Sequence, residues 1–427
     1  MFKTLRFALL VPACMVAGPA LAQTPQEAPT ISIAAAVDEA IAHNLGLLAL
    51  KGNLAIADAA LLTARLRPNP VASASADHLD WLGTGFNEVN NGGPMEFAFR
   101  MDVPFERANK RDKRIELASL TKSVAEAQFA NAVRQLQLDV TLACIDVQGA
   151  RAMRALVADN LRALEEIARV NRLRVAAGAI SPFESTRSDV AMLQFRSTAA
   201  RAELELTTAS VRLQTLLGRP PHEQIDVGDA LRIDTTVALP ELEHVKTLAV
   251  ETRPDLRALQ LGAVRSVADL RLQEANGKVD YMLGAEYRRQ QGVSGRSNSL
   301  GFFMSAPLPL SNRNQGEIAR AEAERQQVSR QIAALRAEVL ADVQAAYSEY
   351  QATRTLVGAM ERDLLKPAAS AREISTYTYR AGGSSLLELL DAQRAFNDTM
   401  QGYLDAQVSS RKAISRLNAA VGMEVMK

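Results

Sequence analysis

The side chains best placed to do chemistry are carboxylates beside two glycine-containing breaks. Ala177-Gly178-Ala179-Ile180-Ser181-Pro182 is followed by Glu184, and Ala381-Gly382-Gly383-Ser384-Ser385 by Glu388 and Asp391. If several copies meet at one axis, such carboxylates make an acidic constriction that favours cations. The same spacing also suits plain helix starts, because Ser181 and Ser385 stand three residues before Glu184 and Glu388, as in a capping box. Other chemistry is poorly provided for. His43, His78, His222 and His244 lie far apart, and Cys14 and Cys144 are the only cysteines, so neither a zinc-ligand spacing nor a disulfide framework is legible. No nucleophile elbow, phosphate loop or acid–base pair is present, so an enzyme is the least fitting class and no cofactor is expected. Lys plus Arg total 49 against 48 Asp plus Glu, for a net charge of +1, which excludes a globally basic nucleic-acid binder.

The elements that position these residues begin after an export signal. Lys3 and Arg6 precede the apolar run Phe7 to Ala22, which ends in Ala20-Leu21-Ala22, so residues 1–22 read as a signal peptide cleaved after Ala22. Val11-Pro12-Ala13-Cys14 resembles a lipobox, but Pro12 fits it poorly, and lipidation of Cys14 is the lesser reading. Cys144 is then the one mature thiol and reads as a small packed side chain. Beyond the signal no apolar run of the ~18 residues needed for a transmembrane helix is expected. The exported chain is therefore periplasmic, secreted, or inserted in an outer membrane by strands.

Long helices dominate the remainder. From Lys113 to Ala177 there is no proline and one glycine, Gly149, and an unbroken helix there approaches ~100 Å. Leu136, Val140, Ala143, Val147, Val157, Leu161, Leu164 and Ala168 follow the spacing of a coiled-coil seam. A second track through Leu386, Leu389, Phe396, Ile414, Leu417 and Val421 includes Gln393, Gln407 and Ser410, which suggests a partly wet or register-specifying interface. Both glycine breaks therefore fold long helices back as antiparallel hairpins. The same interval separates Gly178 from Gly382 and Gly218 from Gly422, and Asn44-Leu45-Gly46-Leu47 has its counterpart in Arg253-Pro254-Asp255-Leu256. The chain is internally duplicated, with repeats over 23–218 and 241–427 and a connector over 219–240.

Each repeat also contains a pair of alternating segments, at about 70–80 and 94–105, then about 278–289 and 298–309. They precede helical hairpins at about 108–218 and 312–422. Met95, Phe97, Phe99, Met101, Val103 and Phe105 alternate with Glu96, Ala98, Arg100, Asp102 and Pro104, and Tyr281, Leu283, Leu300, Phe302 and Met304 lie on equivalent apolar faces. A half-buried soluble sheet accounts for one such hairpin. Two of them, each ~10 residues per strand and inserted between very long helices in an exported chain, point to membrane strands with those apolar residues facing lipid. Four strands cannot close a membrane barrel, since the smallest have about 8. Several chains must share one, and three copies would make it twelve-stranded.

With these elements in place, the sequence resembles the TolC-like outer-membrane efflux factors, and within them the CzcC-like branch associated with heavy-metal cation export. The resemblance is carried by Arg67-Pro68-Asn69-Pro70, Val103-Pro104-Phe105-Glu106 with Lys110-Arg111 and Arg114, and Arg253-Pro254-Asp255. It continues in Pro307-Leu308-Pro309-Leu310, Asn312-Arg313-Asn314-Gln315-Gly316, Tyr379-Arg380-Ala381-Gly382 and Leu386-Leu387-Glu388-Leu389-Leu390-Asp391-Ala392-Gln393. It implies a mainly α protein with membrane β-structure: a homotrimer with a shared twelve-stranded outer-membrane barrel and a periplasmic α-barrel of long coiled-coil helices. Such a trimer is the exit duct of a tripartite system with a periplasmic adaptor and an inner-membrane RND transporter.

The resemblance further implies that the turns at Gly178, Ala179, Ile180, Ser181 and at Gly382, Gly383, Ser384, Ser385 are periplasmic tips where the adaptor docks. Tyr379 takes the place of a gate tyrosine and Glu184 that of a gate aspartate, while Ser384 replaces an expected arginine, so the same latch is not implied. Glu184, Glu388 and Asp391 are the acidic candidates for the aperture. A duct for drugs or other organic solutes is the rival within this class; a periplasmic adaptor or a coiled-coil scaffold without a channel is the rival outside it.

Overall fold

The computed structural model describes residues 30–79, 81, 95–221, 225–229, 231–232, 239–292 and 295–426. The signal segment, Cys14, His222 and much of the 219–240 connector lie outside the described residues. In chain order the elements are β1 (Thr30–Ile31), α1 (Ile33–His43), α2 (Leu45–Arg65), β2 (Val71–Asp77), β3 (Glu96–Phe105), α3 (Lys110–Ala176), α4 (Pro182–Leu217) and β4 (Asp226–Val227). Then follow α5 (Leu242–Thr252), α6 (Pro254–Asn276), β5 (Tyr281–Gly292), β6 (Gly295–Ser305), α7 (Gln315–Asp363), α8 (Leu365–Arg380) and α9 (Leu386–Val421). Two short helices, a strand hairpin, a long helical arm, a glycine turn and a 36-residue return helix thus occur twice.

The strands form one antiparallel sheet in the order β2-β3-β5-β6. The helices continuing from them keep that order, α2 beside α3, α3 beside α6 and α6 beside α7. Farther from the sheet α3 packs on α4 and α9, and α9 packs on α7 and α8. At mid-length a small parallel pair, β1 with β4, and the helices α1 and α5 brace the arms.

Proline decides where two elements end. β6 stops at Ser305, short of the expected 309, because Pro307 and Pro309 have no N–H to give the ladder. The second long arm breaks at Leu364 (φ −115°), three residues before Pro367, which cannot donate and whose ring opposes the carbonyl of Asp363. The first arm, without proline, runs through 67 residues, ~100 Å at 1.5 Å per residue. The coiled-coil tracks are buried as their spacing requires: Leu136, Val140, Ala143 and Val147 pack with Ala36, Ala40, Leu213 and Leu217, and Val339, Val343, Ala413 and Leu417 with Val245 and Ala249. Each such Leu or Val contributes about 1.5–3 kcal/mol by leaving water. One expectation is corrected here. α2 is long and apolar enough to cross a bilayer, yet it lies along α3 with Leu45, Ile56 and Leu62 exposed, and Lys122 of α3 holds its Asp58 at 2.8 Å.

The duplicated landmarks pin the repeats at the same place. Asn44 caps α2 by accepting from Leu47 N–H and donates to the Leu216 carbonyl at 2.9 Å, fastening α4. Its counterpart Arg253 precedes α6, while neighbouring Thr252 donates to the Val421 carbonyl at 2.6 Å, fastening α9. Gly218 and Gly422 end the return helices with φ of +73° and +88°. A Cβ on Gly218 would sit 2.6 Å from the His43 carbonyl oxygen, and one on Gly422 3.3 Å from Arg253.

Candidate functional site

Strand register sorts the sheet into two unlike faces. On the apolar face Ala74, Phe99, Tyr287 and Leu300 form one row across the four strands, and Ala72, Met101, Ala285 and Phe302 form the next. Val103, Leu283 and Met304 follow, then Phe105 and Tyr281 nearest the helices. Phe97, Phe99, Met101, Leu283, Leu300, Phe302 and Met304 are exposed in this chain. Tyr281 is half-buried: its hydroxyl accepts from Arg107 at 2.7 Å and the guanidinium stacks 4.9 Å above its ring. From Phe97 to Phe105 the apolar face extends about 27 Å along the strand, close to the ~25 Å band of a membrane barrel once strand tilt is allowed for.

The opposite face is a lattice of charges. Arg100 pairs with Asp102 at 2.8 Å and lies 4.3 Å from the Phe303 ring centroid. Arg288 bridges Glu96 at 2.8 Å and Glu286 at 2.9 Å, and Gln290 donates to Glu96. Asp77 stands opposite Glu96 on the same face. Among the described residues this face carries four carboxylates and two guanidiniums, so it is net acidic.

Several residues that carry the resemblance occupy the junction between sheet and helices. Buried Lys110 donates to Asp280 and to the Lys278 carbonyl, both at 2.7 Å, and Arg114 pairs with Glu106. Asn109 and Asn314 turn the chain into α3 and α7 with φ of +53° and +63°, values asparagine tolerates better than most residues, and Asn314 donates to the Gln273 carbonyl at 2.8 Å. At mid-length Arg253 pairs with Asp255 at 2.6 Å and Asp342 at 2.8 Å, while Arg134 donates to the Ala419 carbonyl at 2.6 Å. Burial raises the pKa of Asp255, but the Arg253 hydrogen bond and charge outweigh it and hold the carboxyl below its usual range. Burial also disfavours charge on Arg253, and its two aspartates more than offset that.

At the far end both turns close similarly. Gly178 and Gly382 adopt φ of +69° and +79°, and the next N–H reaches back to Arg174 and Thr378 carbonyls at 2.8 Å. Arg174 ties the turns together by donating to the Arg380 carbonyl at 3.1 Å. The helix starts differ. Ser385 accepts from Glu388 N–H, whose carboxylate accepts from Ser385 N–H at 3.1 Å, so the expected capping box is formed. The expected box at Ser181 is not: its side chain makes no cap bond, because the Glu184 N–H is taken by the Ser181 carbonyl at 3.1 Å. Ser384 accepts a hydrogen bond from Thr378 at 3.1 Å.

Of the aperture candidates, Glu184 is half-buried and has no ion pair among the described residues, and exposed Asp391 lies 3.9 Å from Arg394. Tyr379 is buried in the seam, its hydroxyl donating to Asn171 at 2.6 Å and its ring 5.4 Å from Arg174. Asn171, and Asn160 which accepts from Gln393 at 3.1 Å, were not singled out from the sequence. Their signal was available, since both fall on the apolar track of Val157, Leu164 and Ala168. The described residues contain no group of His, Cys, Asp or Glu able to hold a metal ion. Cys144 is fully buried, and burial pushes its thiol up to about 12.

Comparison with known proteins places this geometry. Residues 36–219 and 246–423 match the outer membrane efflux protein family. The chain is 23% identical to the cobalt-zinc-cadmium resistance protein CzcC of Cupriavidus metallidurans over 93% of its own length and 92% of that protein's. It is 22% identical to the pyoverdine export outer membrane protein OpmQ of Pseudomonas aeruginosa, covering 82% of this chain and 71% of that one. The crystal structure of CusC, described for its folding and transmembrane channel formation, superposes with a TM-score of 0.75 at 19% identity over 93% of each chain. The chain belongs to the outer membrane efflux protein family and is an outer-membrane channel that extends into the periplasm.

Proposed function

We propose that three copies of this chain assemble into the exit duct of a tripartite RND-type efflux system and that its cargo is heavy-metal cations. The observation that carries the reading is the two-faced sheet with both edges open. β2 and β6 run in opposite directions, so β6 of one copy pairs antiparallel with β2 of the next, and three copies close a twelve-stranded barrel without an unsatisfied edge in lipid. The exposed apolar side of α2 then packs against α7 of the neighbouring copy, and the charge lattice lines the lumen. Its acidic excess favours cations over anions. The similarity to CzcC supports metal cargo, and the similarity to OpmQ supports an organic solute as the second reading.

The two tips are the docking surface for a periplasmic adaptor, which links the duct to an inner-membrane transporter. Glu184, Glu388 and Asp391 form the acidic aperture there, and Tyr379 positions the second turn through Asn171. Single-channel conductance in planar bilayers, with oligomer mass measured on the same preparation, tests the whole reading. A trimer with small, cation-selective conductance is expected; a water-soluble monomer without conductance would return the chain to the scaffold or adaptor class. Glu184→Gln, Glu388→Gln and Asp391→Asn together should lower cation preference, and unchanged selectivity would remove these residues from the aperture.

A further inference from the structure

We propose that Arg289 and Arg296 form a binding site for the phosphate of an anionic lipid in the external leaflet of the outer membrane. The inference rests on the reading that the outward face of the sheet meets lipid. On that face the apolar rows end, at the rim farthest from the helices, with Phe97 opposite Arg289 and Arg289 opposite Asn298. Arg296 stands on β6 one step farther out, opposite Gln291, so the two guanidiniums are diagonal neighbours on adjacent strands. One row nearer the helices, Tyr287 donates to Asn298 at 2.9 Å. An aromatic ring, an amide and two cations therefore meet where the apolar band stops, the place at which lipid phosphates lie.

The pairing of the sheet's other arginines makes these two distinctive. Arg100 and Arg288, on the opposite face, are neutralised by Asp102, Glu96 and Glu286, and Arg107, at the helix-side rim, donates to Tyr281. Arg289 and Arg296 are exposed and have no hydrogen bond or ion pair among the described residues. Among the described outward positions of β2, Ala72, Ala74 and Ala76 offer a neighbouring copy's guanidinium no partner. A guanidinium presents a planar fork of donors that matches two phosphate oxygens, and its charge is retained at the membrane surface. The helices extend into the periplasm, so this rim is external.

The test is binding of dioleoyl phosphatidic acid and dioleoylglycerol to the detergent-extracted full-length protein by native mass spectrometry, with inorganic phosphate as the membrane-free anion. Preferential binding of phosphatidic acid is expected. It should weaken about fivefold for each arginine neutralised in Arg289→Gln and Arg296→Gln and persist in the lysine variants. Equal binding of the two lipids, or wild-type binding by the double Gln variant, would overturn the site. Inorganic phosphate held at the same rim without lipid would overturn the lipid assignment. A protein that is soluble without detergent and binds neither lipid would defeat the membrane reading, and this inference with it, an outcome distinct from loss of phosphate preference alone.

Discussion

The first repeat carries its long arm as one 67-residue helix, whereas the second divides the same span between α7 and α8. The difference continues at the turns. The second return helix starts with a complete capping box and the first with Pro182 and no side-chain cap. At mid-length the first repeat is fastened by Asn44, a neutral cap, and the second by Thr252 beside a buried Arg253 that pairs with Asp255 and Asp342. One plan of strands and hairpins is therefore kept by two chemistries. What the repeats hold in common is geometry: a glycine at the end of each return helix, a left-handed asparagine into each long arm, and an apolar track of the same period.

The sharpest break of this comparison lies at the mid-length anchors. Arg253→Ala leaves Asp255 and Asp342 without their buried partner and should cost about 3 kcal/mol, against about 1 kcal/mol for Asn44→Ala. The midpoint of thermal loss of helical circular dichroism measures both, and equal losses would mean that the two anchors are equivalent. The same anchor gives a pH dependence. Because the folded pKa of Asp255 is held below its ordinary 3.8, its stabilisation is present above that value and is lost as pH falls through the lower, folded pKa. Acid titrations of wild type and Asp255→Asn should therefore begin to converge as pH falls below 3.8 and meet only below the lower, folded pKa.

Next in size are the terminal glycines. Gly218→Ala forces a methyl against the His43 carbonyl in a left-handed backbone and should cost about 2–3 kcal/mol, while Gly422→Ala meets a more distant neighbour and should cost about 1 kcal/mol. A reversed order in the same melting assay would show that the second repeat is the tighter one. Tyr379→Phe removes the hydroxyl from buried Asn171 and should cost about 1–2 kcal/mol, read as faster proteolysis at the tips. The smallest contrast is at the helix starts. Ser385→Ala should cost about 1 kcal/mol and Ser181→Ala close to nothing, which amide exchange at Glu388 and Glu184 resolves.

How much was legible depended on how local the cause was. Alternation in Glu96–Phe105 needs only neighbouring residues, and it placed the apolar face of β3 correctly. The break at Leu364 is equally local, because Pro367 forces it, although the spacing of the glycine turns alone implies an unbroken arm. α2 shows the opposite failure. Its composition is that of a membrane helix, yet the run that reads as apolar is the free side of an edge helix in a periplasmic bundle. The capping spacing at Ser181 and Ser385 is identical in sequence and gives two outcomes: the Glu184 N–H meets the Ser181 carbonyl, whereas the Glu388 N–H meets the Ser385 hydroxyl.

The candidate site divides along the same line. The turn residues and the strand faces could be listed from spacing alone, because helical and strand periods assign each residue to a side. The partners could not. That Tyr379 meets Asn171, that Arg253 meets Asp342, and that Arg288 meets Glu96 all depend on chain crossings between the two repeats. The sequence by itself determined the duplication, the element types, the face of each strand and the place of each turn, since these follow from backbone sterics and from periodic burial over a few residues. Only the tertiary structure decided which charges are neutralised and which are left free, because charge pairing depends on distances between strands and helices that are remote in the chain.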